Sequence, residues 1–141
     1  MALSPQQVAE EFIKRWNAGD FASLQQLYAD DLVWVIKGHS PQSAEMTRDQ
    51  IVAVQNKLPE LDTLTPFKLD LLYITANDER ASVEFTSELP FRDGRVYKNQ
   101  YHFLLFVENG KIKRGHEYLC TWTAVHNGIG EDIMKLLQGD A

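Results

Sequence analysis

The chain has a single cysteine, Cys120, so it cannot close a disulfide within itself, and that usage fits a reducing cytoplasm. No apolar run approaches the roughly 18 residues that span a bilayer, so no membrane segment is expected. The opening Met1-Ala2-Leu3-Ser4-Pro5 has neither a charged leader nor an apolar stretch, so no signal peptide is expected. Basic residues are scarce, 14 against 20 acidic, for a net charge of −6. That balance opposes a phosphate backbone, and no basic patch offsets it, so nucleic acid is not an expected partner. The four histidines, His39, His102, His116 and His126, show no metal-ligand spacing, and no glycine-rich phosphate loop is present. Neither a metal nor another cofactor is implied. What remains is ordinary globular composition, 44% apolar and 24% charged over 141 residues, which is one domain, 1–141, with one core.

Helical signals dominate the first half. Ser4, Pro5 and Gln7 form a capping box, followed by Val8, Phe12, Ile13 and Trp16 at helical spacing, with Gly19 as the stop. Asp20 caps a short second helix whose buried face is Leu24, Leu27 and Tyr28. Leu32–Ile36 reads as a strand, and 38–45 as a polar loop in which His39 is a weak candidate for substrate contact. Thr47 and Gln50 repeat the capping box before a third helix with Ile51, Val54 and Leu58 on one face, stopped by Pro59.

From Phe67 the period changes to two. Strands are predicted over Phe67–Ala76, Ala81–Leu89, Val96–Glu108 and Lys111–Thr123, then a short helix over Glu131–Leu137. Asn109-Gly110 suits a type I′ turn and closes an antiparallel hairpin. The class is α+β. Alternation puts Asn99, Tyr101 and Phe103 on one face of their strand, and Gly115, Glu117, Leu119 and Thr121 on one face of the next. It separates Glu84, Thr86 and Glu88 from Val83, Phe85 and Leu89, but parity alone does not say which set lines an interior.

Three stretches, Trp16-Asn17-Ala18-Gly19-Asp20, Leu27-Tyr28-Ala29-Asp30-Asp31, and Asn109-Gly110-Lys111 through Glu117-Tyr118-Leu119, resemble the NTF2-like superfamily. Ketosteroid isomerase and the SnoaL-like polyketide cyclases are its relevant members. The resemblance implies a cone: three N-terminal helices on a strongly curved, mainly antiparallel sheet, with a short C-terminal helix and a pocket inside. Carried over by position, the isomerase's oxyanion-donating aspartic acid falls on Tyr101, its tyrosine on Phe12 and its base on Ile36. The acid/base aspartate of the SnoaL-like cyclases falls on Glu117. Limonene epoxide hydrolases pair that acid with an Arg and an Asp on an earlier strand, near Thr86 and Glu88.

The expected chemistry is a cofactor-free isomerase, cyclase or hydrolase acting on a compact, apolar or carbonyl-containing metabolite. Glu117 would move a proton, Tyr101 and Asn99 would hold an oxyanion or hydroxyl, and Glu88 would complete a carboxylate pair. Trp34, Tyr28, Phe12, Trp16, Ile36, Phe103, Leu119 and Thr86 would line the pocket. The alternative is a non-catalytic binding or interaction module of the same fold. The face with Val83, Phe85, Leu104, Phe106, Tyr118 and Trp122 reads as too apolar for water, which implies a homodimer through the convex sheet face.

Overall fold

The computed structural model describes residues 1–139. Its first helix, α1 (Pro5–Asn17), starts at the expected capping box: Gln7 N–H donates to Ser4 Oγ at 3.2 Å, and Ser4 N–H to Gln7 Oε1 at 2.9 Å. After Gly19, held at φ 71°, Asp20 caps the short α2 (Phe21–Gln25). Strands β1 (Tyr28–Ile36) and β2 (Ala44–Thr47) precede α3 (Arg48–Lys57), and a 3-10 turn over Leu58–Glu60 follows. The remaining strands are β3 (Asp70–Ala76), β4 (Arg80–Pro90), β5 (Val96–Glu108) and β6 (Lys111–Leu119). Two helices, α4 (Thr121–Asn127) and α5 (Ile129–Gly139), complete the described residues.

The six strands form one sheet in the order β2-β1-β6-β5-β4-β3. Only β1 against β6 is parallel. Register irregularities in β1, β3 and the β5–β6 pair bend the sheet, as bulges do. The β5–β6 turn has Asn109 at φ 52° and Gly110 at φ 75°, the type I′ geometry its sequence demands. Helix α1 packs across β3, β4 and β5, α3 across β1 and β2, and α5 on α3 and α4. The Trp16-Asn17 stretch ties α1 to the approach to β3. Trp16 Nε1–H donates to Phe67 O at 2.9 Å, and Asn17 exchanges two 2.8 Å bonds with the Leu69 backbone.

Several boundaries differ from the predicted ones. The last strand stops at Leu119, and Cys120 becomes the N-cap of α4, so Thr121–Thr123 are helical. Tyr28 begins β1 instead of ending α2's face, and Ala44 already belongs to an edge strand. The helices also interleave with strands: α3 follows β2, and the C-terminal end has two helices where one was expected.

Face assignments carry the larger correction. Val83, Phe85 and Leu89 are buried against the helices, whereas Glu84 and Glu88 are exposed on the outer face with Thr86 between them. Trp122 lies on α4 and not on the sheet. The outer surface of β4–β6 is therefore mixed: Lys98, Gln100 and His102 with Leu104, Phe106 and Tyr118. Among the described residues no helix is long and apolar enough to cross a membrane.

Candidate functional site

The inner face of β4–β6, α1, α3 and α5 enclose a cavity of about 610 Å³. Its apolar wall is an interlocked aromatic set. Phe12 and Trp34 stack at 6.3 Å and 4°, Phe103 stands edge-on to Trp34 at 5.2 Å, and Phe85 stacks on Tyr101 at 4.7 Å. Trp16, Ile36 and Leu119 extend that wall. The rings sit between strand and helix and also face the cavity, so core and pocket share side chains.

Glu117 projects into this space from β6. Its neighbour across the sheet on β1 is Ile36; its neighbour on β5 is Phe103. Neither offers it a hydrogen bond. Its partner is Trp34, whose Nε1–H donates to Oε1 at 2.9 Å. That contact needs Gly115: the indole lies over its Cα, and a Cβ there would meet the ring at 2.3 Å. The residue two before the carboxylate thus makes room for the indole that holds it. No group of the described residues binds Oε2. Burial among aromatic rings disfavours the charged form and pushes the carboxyl from 4.5 up to about 7, against the opposing pull of the Trp34 bond. Among the described residues no ion pair includes it.

Two residues along the same face, Tyr101 is bonded to the buried Ser87 of β4, Oη to Oγ at 2.9 Å. Tyr97, two inward positions further back on β5, accepts from Asn99 Nδ2–H at 2.8 Å. Both phenols face the cavity, and burial raises both above the usual phenol range. On the α3 side, Gln55 Nε2–H donates to the Tyr28 hydroxyl, which burial likewise holds high.

Most residues read from the sequence come together here: Glu117, Tyr101, Trp34, Phe12, Trp16, Ile36, Phe103 and Leu119 all line the cavity. Four do not. Glu88 and Thr86 lie on the outer face, so no carboxylate pair forms with Glu117. Asn99 is buried behind the lining, its amide consumed by Tyr97, the Cys120 carbonyl and N–H, and the Gln100 N–H. Tyr28 backs the lining and does not form it, meeting it through Gln55 and the Trp34 ring. His39 is exposed in its loop and does not line the cavity.

Tyr97, Ser87, Gln55 and the α5 residues went unread. Tyr97 shares the parity of Asn99 and Tyr101, and Gln55 lies one helical turn beyond Ile51, so alternation and helical period could have found both. A second concavity, about 480 Å³, opens outside between the hairpin turn and the start of α3. Its mixed lining of Asp30, Asp31, Arg48, Lys111 and Lys113 contains no carboxylate withdrawn from water as Glu117 is. Among the described residues, no three His, Cys, Asp or Glu side chains gather as a metal cage.

The sequence matches the SnoaL-like domain family over residues 9–115. No curated protein matches it. Solved structures match its fold at low identity. An NTF2-like protein from Burkholderia thailandensis E264 is 16% identical with a TM-score of 0.76, covering 89% of this chain and 97% of that one. A putative polyketide cyclase from Pseudomonas putida KT2440 is 20% identical with a TM-score of 0.64, over 83% and 92%. An LEH-like epoxide hydrolase from M. tuberculosis is 13% identical with a TM-score of 0.68, over 95% and 96%.

Proposed function

The chain belongs to the SnoaL-like domain family, and from that premise we propose that it is a proton-transfer enzyme acting next to a carbonyl in a compact apolar metabolite. The observation that carries this reading is Glu117, one carboxyl in an aromatic pocket, with no ion pair among the described residues and a proton affinity matched to neutral pH. Trp34 engages Oε1 and fixes the carboxyl plane, which leaves Oε2 to take a proton from the carbon beside the carbonyl and return it elsewhere. The phenols of Tyr101 and Tyr97 donate to the carbonyl oxygen as negative charge develops there. Both phenols stay protonated through neutral pH, so they act as donors and not as bases. Asn99 serves by orienting Tyr97 and does not touch the ligand in this scheme. No step needs a cofactor.

Isomerisation and aldol-type cyclisation fit this inventory, since one carboxyl can act in turn as base and acid. Epoxide opening fits it poorly. It calls on an acid to protonate the leaving oxygen while a base activates water, and Glu88 is on the wrong face to complete that pair. The same missing pair supports the second reading, a binding module in which Glu117 hydrogen-bonds a ligand without turnover.

A thermal-shift screen of carbonyl-bearing polyketides, steroids and terpenoids tests the pocket. A ligand at about 100 times its Kd stabilises by about 2.7 kcal/mol. Glu117→Gln then separates the readings. The enzyme loses turnover of the bound compound by about 100-fold or more while binding persists. A binding module shows no turnover in either form.

In the same proposal, two copies pair through the convex face, where Val33, Val35, Leu104, Phe106 and the half-exposed Tyr118 surround Arg114 and His116. A monomer mass by sedimentation at micromolar concentration would overturn the dimer and leave the pocket chemistry standing.

A further inference from the structure

Polar groups left without partners are rare in folded interiors, so where they cluster is informative. Among the described residues, three buried side-chain atoms lack a hydrogen bond: Gln42 Oε1, Asn127 Oδ1 and Arg48 Nε. Two of these three belong to one place, the seat of α5. Asn127 ends α4 immediately before Gly128, which joins the two helices at φ 87°, a left-handed conformation that glycine adopts freely. Gln42 comes from the β1–β2 loop and is pressed against Gly130 of α5, where an added Cβ would lie 2.7 Å from Nε2.

Helix α5 is also the wall of the cavity that is not sheet-bound. It rests chiefly on α3 and α4 and presents Ile129, Ile133 and Met134 to the pocket, with Met134 still 52% exposed at the rim. A side chain of the β4–β5 turn fastens it. Arg95, at the end of the β4–β5 turn, donates from Nη1 to Asp132 Oδ2 at 2.7 Å and to Asn127 O at 3.0 Å. Asp93, at 2.8 Å from Nε, and the ring of Phe91, at 4.3 Å, hold the guanidinium in place.

We propose that α5 is a hinged lid over the pocket, pivoting at Asn127-Gly128 and latched by Arg95 on Asp132, and that ligands enter and leave beneath it. Closing buries the apolar face of α5 but strands two amide oxygens away from water. Opening returns both oxygens to water and exposes apolar surface. These opposed costs keep the two states close in free energy, which a lid requires and a fixed wall does not. The inference stands apart from the role of Glu117, because it concerns access and not chemistry.

Amide hydrogen exchange of the full-length protein tests it, with peptides from α5 compared with peptides from α1 and β5. Helix α5 should exchange as one unit, faster than both references. Asp132→Asn removes the latch charge and should raise α5 exchange about threefold. Gln42→Met replaces a stranded acceptor with an apolar chain of similar length and should slow α5 exchange severalfold. Neither variant should move α1 or β5. Exchange in α5 as slow as in β5 and unchanged by both variants would overturn the lid. So would shifts of the same sign in both variants, or shifts shared by the whole chain, which would make these contacts ordinary stability contacts.

Discussion

The two faces of β4–β6 carry similar polar residue types, with different consequences. The outer face has Glu84 and Glu88 opposite His102 and Lys98, all in reach of water. The inner face has Glu117, Tyr97 and Tyr101 among Phe12, Trp34, Phe85 and Phe103. A carboxyl on the first face is exposed to water. On the second it meets a neutral donor and aromatic rings, and its proton is held to about 7. Residue type does not separate Glu88 from Glu117; the parity of one strand and the aromatic rings around the carboxyl do.

The difference should be visible first in stability against pH. The folded Glu117 carboxyl titrates about 7 against an ordinary value of 4.5, so between those limits the folded state keeps a proton that the unfolded chain releases. Folding is therefore most favoured by this group below 4.5, loses stability as pH rises through the window, and levels off above 7. The full change is roughly 3 kcal/mol. Urea unfolding at pH 5 and pH 8 should show that loss in the native protein and lose most of it in Glu117→Gln, with Glu88→Gln behaving like the native chain.

Next in size is Gly115→Ala. Its Cβ would meet the Trp34 ring at 2.3 Å, and the indole has no slack in a stacked set. Overpacking of this kind costs about 1–3 kcal/mol, and the displaced Nε1–H should leave Glu117 titrating higher still. A urea midpoint unchanged from the native protein would mean that the Trp34 seat is looser than described.

Tyr101→Phe should cost about 1 kcal/mol, because the buried Ser87 hydroxyl loses its partner. If a turned-over ligand is in hand, kcat should fall more than KM rises. The smallest effect belongs to the outer face: Glu88→Gln should stay within about 0.5 kcal/mol by the same unfolding assay. A large loss there would erase the contrast between the faces.

How far the sequence discloses this follows from what each signal encodes. The capping boxes at Ser4 and Thr47, the Asn109-Gly110 turn and the helical period of α1 are local, and each appears where it was read. The last strand was read four residues too long because Cys120–Thr123 continue an apolar alternation. The chain instead turns into α4 at Cys120, whose N–H is taken by Asn99 Oδ1 across the sheet. Glu117 and Tyr101 both lie on the cavity face, as family position implies for each, whereas parity alone leaves either face open. Glu88 was misassigned because β4 reads alternately on both faces, and which face meets the helices is set by pairing with β5, a tertiary fact. The opposition of Gly115 and Trp34 depends on the parallel pairing of β1 with β6, which joins strands from opposite ends of the chain.

The most direct test of the central claim is a 13C NMR titration of the Glu117 side-chain carboxyl, assigned by its disappearance in Glu117→Gln. The midpoint should lie near 7, lowered in no variant of the outer face. A midpoint near 4.5 would mean that water or an unseen cation reaches the carboxyl, and Glu117 would then be a fixed charge unsuited to carrying a proton at neutral pH.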